Sequence, residues 1–369
     1  MHILDYQASS FRNLTSIAFE PSPGINMIFG ANGQGKTNLI ESIWLFTGCR
    51  SFRTNENAEL IMKGQPRAEL AIQFWSNAHT QSAAIDIQNQ RTLRLNGFTQ
   101  ASPRRMFGVF PAVVFSPSTL AIVKGGPSER RRFLDIALSM IKPIYAVTLA
   151  KYIKALNQRN ALLRKADGAD ESFLMWEEVL ASEAASVMLA RYAYLRELCP
   201  LATQYYGEIS AEKERFDIRY APAAAREQSF DALPRDELKA RYQVLFERNR
   251  RNDLRLQSTT VGPHRDDLNL RLNGDAARHF ASQGQQRSIA LAMKLAEASI
   301  LRTTLGDAPI ALLDDVMSEL DAQRQSDLLR FLDGWQVFLS CCEPSHLLSV
   351  ACGKIFEMQN GALRLSQST

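Results

Sequence analysis

The sequence predicts an α/β fold, a sheet built around a phosphate-binding loop with a mainly helical lobe inserted, and three observations carry that prediction. Gly30-Ala31-Asn32-Gly33-Gln34-Gly35-Lys36-Thr37 stands between an apolar run, Ile25–Phe29, and a helical pattern of Leu39, Ile40, Ile43 and Trp44. Residues 1–115 are strand-rich, whereas the stretch from about Ser128 to Cys199 is rich in Ala, Leu and Arg at helical spacing. Strand signals return after about Thr259 and culminate in a second apolar run, Pro309–Leu313, closed by Asp314-Asp315. The expected organisation is a discontinuous nucleotide-binding lobe, 1–118 plus 258–369, and an inserted lobe, 119–257.

In the loop each residue type has a task. Glycines permit backbone angles that a side chain forbids, so successive N–H groups can turn inward toward phosphate oxygens. Lys36 supplies a cation for β- and γ-phosphates, and the Thr37 hydroxyl is placed to ligate Mg²⁺. A strand, the loop and a helix N-terminus together make an anion site, and Gly48 is the expected C-cap of that helix.

Composition narrows the classes of function. Of 369 residues 46% are hydrophobic, enough for a sizeable core in two or three domains. Lysine and arginine number 43 against 39 acids, a net charge of +4 that suits a nucleic-acid partner without requiring one. Five cysteines (Cys49, Cys199, Cys341, Cys342 and Cys352) show no C-x-x-C spacing, so a reduced cytoplasmic protein is expected, with neither a disulfide framework nor a zinc site. Met1-His2-Ile3-Leu4-Asp5 is no signal sequence, and no apolar run is long enough to span a membrane.

Along the chain, Ala68–Trp75 and Ala83–Ile87 carry strand patterning, Thr92–Leu95 meets an Asn96-Gly97 hairpin signal, and Ala112–Phe115 reads as a short buried strand. In the inserted lobe Leu149, Tyr152, Ile153 and Leu156 form one helical stripe, and Ala185, Val187, Met188 and Tyr192 belong to another. Lys165–Asp170 reads as a turn between helices, Phe216–Tyr220 as a strand, and Arg235 to Leu254 as helix. Leu268–Leu272 leads into a second hairpin signal, Asn273-Gly274. Basic candidates for a polyanion are Arg104, Arg105, Lys124, Arg130, Arg131, Arg248, Arg250 and Arg251, several of which could instead be solvated or paired with nearby acids. His264, with Arg265, Asp266 and Asp267, could belong to a metal cluster or to a hydrogen-bond knot between lobes; no second His or Cys stands at ligand spacing, which favours the knot.

Three further stretches carry chemistry. Pro309–Asp315 reads as a central parallel strand whose acids emerge at its carboxyl end, where ligands collect. Asp314 then suits a Mg²⁺-holding role and Asp315 that of a general base orienting water. Ser282-Gln283-Gly284-Gln285-Gln286-Arg287 opens a helix expected from about Gln285, a second N-terminal anion site, and Ser318-Glu319-Leu320-Asp321 follows the acids.

This constellation resembles the ATP-binding cassette ATPases, and more closely the RecF family of bacterial recombination and repair proteins. Phe11-Arg12-Asn13-Leu14, Phe115-Ser116-Pro117, Pro127–Asp135, Gly262–Asp267 and Ser282–Arg287 carry the closer resemblance, which spans residues 11 to 321. It implies an ATPase head with a mixed sheet around the phosphate loop, related to the SMC heads. It further implies ATP and Mg²⁺ as cofactors, with Arg12, Asn13, Ser282, Gly284 and Gln285 joining Gly30–Thr37 in nucleotide binding. In the cassette superfamily, signature residues of the kind at Ser282 and Gly284 close on the γ-phosphate bound by a second subunit. The implied protein is an ATP-dependent homodimer that binds duplex DNA and single/double-strand junctions without sequence preference. By the same resemblance it works with RecR, indirectly with RecO, and promotes RecA loading at single-strand gaps while hydrolysing ATP slowly.

The chain departs from the cassette pattern in three places. Asp315 stands where a glutamate base is common, Ser340-Cys341-Cys342 stand where a switch histidine is usual, and no Q-loop glutamine is evident near Phe115–Thr119. The runner-up reading is the ATPase subunit of a membrane transporter, opposed by the helical insertion and the missing histidine. A nuclease lacks an acidic cluster beyond Asp314-Asp315, and a GTPase lacks an N-K-x-D motif.

Overall fold

The computed structural model describes residues 1–165, 171–223, 233–343 and 353–368. The chain forms two compact units, Met1–Thr119 with Lys294–Thr369, and Leu120–Met293. In chain order the first unit contributes β1 (His2–Phe11), β2 (Leu14–Phe19), β3 (Ile25–Phe29), α1 (Lys36–Trp44), β4 (Ala68–Ser76), β5 (His79–Ile87), β6 (Arg91–Leu95), β7 (Phe98–Gln100) and β8 (Ala112–Phe115). The second contributes α2 (Ala121–Lys124), α3 (Pro127–Ile141), α4 (Pro143–Lys165), α5 (Glu171–Ser210), β9 (Phe216–Ala221), α6 (Arg235–Leu256), β10 (Asp267–Leu272), β11 (Asp275–Ala276) and α7 (Ala277–Phe280). The units divide within α8 (Gln283–Leu305), after which come β12 (Ile310–Asp314), α9 (Ala322–Phe331), β13 (Val337–Cys341), β14 (Gly353–Gln359) and β15 (Ala362–Ser368).

The first unit holds two six-stranded sheets. One, ordered β2-β1-β4-β5-β6-β7, is antiparallel throughout. Its strands alternate buried and exposed residues, as β4 does, because one face is packed and the other solvated. The other sheet, ordered β15-β14-β3-β13-β12-β8, is parallel except for the antiparallel β15. In β12 and β13 every residue is buried, the continuous apolar pattern of strands covered on both faces. β13 lies between β3 and β12, pairing Ser340 with Ile28 on one side and with Asp314 on the other. The carboxyl ends of the strands bearing the phosphate loop and the acids therefore flank Ser340.

The second unit is mainly helical, with the small antiparallel sheet β11-β10-β9. The sequence placed the return to the first lobe at 258, but β10 pairs with β9 along Asp267–Leu272, and the compact units divide at Met293. The helical stripe in α4 also differs in detail. Ile153 is 41% exposed, and the buried line runs through Tyr152, Ala155, Leu156 and Arg159. α5 continues through Pro200 to Ser210, where buried Leu198, Ala202 and Tyr206 hold it against the proline's missing N–H. The expected turn at 165–170 falls, beyond Lys165, outside the described residues. α1 ends at Trp44, and Gly48, at φ 84°, caps the 3-10 turn Leu45–Thr47 that follows it.

Candidate functional site

The phosphate loop joins β3 to α1. Gly30, Gly33 and Gly35 have φ of 151°, 80° and 119°, a region that L side chains rarely enter. A Cβ at Gly30 would overlap the Met358 carbonyl oxygen, and one at Gly35 would fall 2.8 Å from Asn13 Oδ1. Among the described residues no atom lies within 4 Å of a Cβ built on Gly33, which leaves room for a ligand on that side of the loop. Lys36 is 7% exposed, and its ammonium donates to the Gly30 carbonyl at 2.6 Å and the Ala31 carbonyl at 3.0 Å.

The acids meet the loop from β12. Thr37 Oγ1 donates to Asp314 Oδ1 at 2.8 Å, and Ser340 Oγ donates to the same oxygen at 3.0 Å. Burial raises the Asp314 carboxyl above its ordinary value, the two hydroxyl donors oppose that rise, and the neighbouring Asp315 charge adds to it. Asp315 adopts φ 51°, its N–H donates to Ser340 Oγ at 2.9 Å, and its carbonyl accepts from Ser318 Oγ at 2.8 Å. The pair thus diverges: Asp314 turns to Thr37 while the left-handed turn sets Asp315 on a separate course. The hard oxygen donors of Thr37 and Asp314 suit Mg²⁺. Among the described residues no group of three or more His, Cys, Asp or Glu gathers as a protein-only metal cage.

Asn13 braces the loop, and Arg12 is held against the helix that follows it. Asn13 Nδ2 donates to the Gly33 carbonyl at 3.0 Å, and its Oδ1 accepts from Asn38 Nδ2 at 2.7 Å. Arg12 forms a bidentate pair with buried Glu41, at 2.6 and 2.8 Å, and donates to the Glu59 carbonyl at 3.1 Å. Arg53 joins the cluster, donating to Asn38 Oδ1 at 2.6 Å, and the Ser51 hydroxyl donates to Glu41. From the far end of the chain, Asn360 N donates to Gln34 Oε1 at 2.6 Å and Gly361 N to the Gln34 carbonyl at 3.0 Å. Ser340, Arg53 and this hairpin turn were not assigned from sequence. Ser340 follows the apolar run Val337-Phe338-Leu339, the position where a switch histidine is usual, and that position is its signal in the sequence.

The second unit holds Ser282, Gly284 and Gln285. Ser282 N donates to Gln285 Oε1 at 2.6 Å and Gln285 N to Ser282 Oγ at 3.3 Å, a capping box that starts α8 at Gln283. Gln285 Nε2 also donates to Glu214. Among the described residues no atom lies within 4 Å of a Cβ built on Gly284, so none of them demands a glycine there.

Several basic candidates are already engaged. Arg130 is buried against Asp267 at 2.6 and 2.9 Å, Arg131 donates to the Asp266 carbonyl at 2.7 Å, and Arg250 pairs with Glu177 at 2.5 Å over the Phe173 ring. Arg104 and Arg105 in the first unit, and Lys124, Arg248 and Arg251 in the second, are exposed. His264 sits in a hydrogen-bond knot, but its partners Tyr152, at 2.5 Å, and the Thr259 carbonyl, at 3.0 Å, belong to its own unit rather than to the other lobe.

A phosphate loop with an acid-bearing parallel strand beside it, in a mixed sheet, defines an ATPase head of the cassette and SMC class. The Smc head of Pyrococcus furiosus, solved with ScpA, shares the fold at TM-score 0.55 and 16% identity, over 100% of this chain and 96% of that one. The family profile described as RecF/RecN/SMC N terminal domain matches residues 2–358. The chain belongs to the RecF family, an ATP-binding ATPase family. It is 37% identical to the DNA replication and repair protein RecF of Lactobacillus delbrueckii subsp. bulgaricus over 98% of this chain and 97% of that protein. It is 36% identical to the RecF of Heliobacterium modesticaldum over 99% and 100%. The structure of the recombination mediator RecF with ATP, in the RecFOR pathway, superposes at TM-score 0.91 with 31% identity, covering 99% of this chain and 98% of that one. Family membership sets aside the transporter alternative, and no helix among the described residues is long and apolar enough to cross a membrane.

Proposed function

We propose that this chain is an ATP-switched, sequence-independent DNA-binding protein of replication and recombinational repair. The observation that carries the reading is the Thr37–Asp314 contact of 2.8 Å, which sets a hydroxyl and a carboxylate together beside the phosphate-loop lysine. Gly30–Gly35 and Lys36 would hold the ATP phosphates, and Thr37 with Asp314 would hold Mg²⁺, directly or through its water shell. Bound Mg²⁺ would neutralise phosphate charge. The protein's own part is to orient: Asn13 and Asn360 support the loop, Ser340 fixes the acids, and Asp315 serves as the base that orients water.

Ser282 and Gly284 are read as the signature that closes on a nucleotide held by a second copy. The open space at Gly284 supports this, since it leaves room for an approaching phosphate. ATP would then join two copies on DNA, slow hydrolysis would release them, and RecR, with RecO indirectly, would use the assembly to promote RecA loading at gaps in the cytoplasm. The test is sedimentation of the chain with and without ATP and Mg²⁺, then with duplex added. Dimers that require ATP, and DNA retention that requires dimers, are expected. A chain that stays monomeric at saturating ATP, or binds DNA equally without it, would overturn the reading.

A further inference from the structure

Beside the nucleotide-binding apparatus of the first unit lies a cavity of about 150 Å³, whose lining includes Arg50, Arg91, Thr54, Asn55, Asn57 and Glu56. Arg91 donates from one guanidinium nitrogen to the Cys49 carbonyl at 2.9 Å, while Arg50 is exposed. Among the described residues neither arginine forms an ion pair with a carboxylate, although Glu56 also faces the cavity. Ser51, Thr54, Asn55 and Asn57 add hydroxyls and amides, donors that commonly accompany arginine around an oxyanion, and the Leu60 side chain and the Glu56 carboxylate complete the lining.

The walls are built rather than loose. Arg53 N and Thr54 N donate to Ser51 Oγ at 2.9 and 3.0 Å, Trp44 Nε1 donates to the Arg50 carbonyl at 2.9 Å, and Asn57 Nδ2 donates to the Asn89 carbonyl at 3.1 Å. Ser51 in turn donates to Glu41, the carboxylate that holds Arg12 and Arg53 beside the phosphate loop. An anion here would meet a preformed pocket and touch a network continuous with helix α1.

We propose that this pocket binds one phosphate of a nucleic-acid backbone, with Arg50 and Arg91 as its two cationic donors. It rests on the DNA-binding reading above and adds to it a particular seat in the first unit. Burial, reinforced by the Arg50 charge, lowers the Arg91 guanidinium from its ordinary value, with Cys49 opposing; a bound phosphate relieves that repulsion. Such a contact fixes register on the backbone and reads no bases.

The test uses the full chain with ATP and Mg²⁺. Arg50→Gln should bind ATP as the wild type does, because Arg50 touches neither the loop nor the acids. It should bind duplex about tenfold more weakly, with the slope of log K against log salt reduced by about one. In parallel, phenylglyoxal modification of Arg50 and Arg91, mapped by mass spectrometry, should be suppressed by duplex but not by millimolar inorganic phosphate. Wild-type affinity and salt slope in Arg50→Gln overturn the site while leaving the DNA-binding reading intact. Protection by inorganic phosphate and not by duplex assigns the pocket to a free anion and overturns the nucleic-acid assignment. A wild-type chain that fails to bind duplex at all overturns both.

Discussion

Thr37 and Asp314 stand 277 residues apart and share a hydrogen bond of 2.8 Å, so the hydroxyl and the carboxylate proposed for one Mg²⁺ already face each other. The contact exists because β12 and β3 are both neighbours of β13 in a parallel sheet, which brings their carboxyl ends to one edge. Asp314→Asn is expected to weaken Mg²⁺-dependent ATP binding by about tenfold or more while leaving metal-free binding nearly unchanged, since the amide loses the charge but keeps the shape. Fluorescent-nucleotide titration with Mg²⁺ and with EDTA measures the difference. Equal losses in both conditions would place the effect in the fold rather than at the metal.

Lys36→Ala should lower ATP affinity by about two orders of magnitude and abolish ATP-dependent DNA retention, because the phosphates lose their nearest cation. Wild-type affinity in that variant would remove the loop from the site. Asp315→Asn should keep ATP affinity and slow turnover by about a hundredfold, prolonging the dimer. Unchanged turnover would shift the base elsewhere, with Glu319 next to be tested.

The signature is best tested by complementation. Ser282→Arg should bind ATP as a monomer and fail to dimerise, because a bulky cation replaces the small cap at the start of α8. Mixed with Lys36→Met, it should recover part of the ATP-dependent dimer seen by analytical ultracentrifugation, as one intact composite site can still form. Normal dimerisation by Ser282→Arg alone would refute the assignment of the signature to the interface.

Gly361 touches no nucleotide in this reading, yet its φ is 73° and a Cβ there would overlap the Asn13 carbonyl oxygen. Gly361→Ala is expected to cost about 2–3 kcal/mol of stability. It should also weaken ATP binding, because the Asn360-Gly361 turn supports Gln34 in the loop. Thermal unfolding and nucleotide titration together check this. A stable variant with normal affinity would show that the turn can move away freely.

Burial depresses the His264 imidazole to about 4, and its bonds to Tyr152 and the Thr259 carbonyl suit the neutral ring. The folded state thus binds this proton less readily than the unfolded state. The stabilisation is fully present above about pH 6.5 and is lost progressively as pH falls toward 4. The loss should be at most about 3 kcal/mol, and roughly 1–2 once residual exposure is allowed for. His264→Gln should flatten the dependence of Tm on pH in that window. An identical profile in the variant would assign the acid sensitivity to other groups.

What the sequence determined by itself was everything that consecutive residues encode. The loop Gly30–Thr37 with its flanking strand and helix, the hairpins at Asn96-Gly97 and Asn273-Gly274, and the buried strand ending in Asp314-Asp315 appear where local pattern put them. Backbone permissiveness, turn chemistry and hydrophobic period act over a few residues, so a reader of the chain can apply them directly. Tertiary structure alone decided which distant side chains meet. Ser340 braces Asp314 because β13 inserts between β3 and β12, and Gln34 meets Asn360 because β14 lies against β3. Arg130 and Arg250, equal to any surface arginine in sequence, are drawn to Asp267 and Glu177, while Arg50 and Arg91 line a cavity with Glu56 and form no ion pair among the described residues. Strand order and burial are set by the joint packing of segments far apart in the chain. A cation's role follows from the charge and solvent that packing leaves around it, which no single stretch of sequence contains.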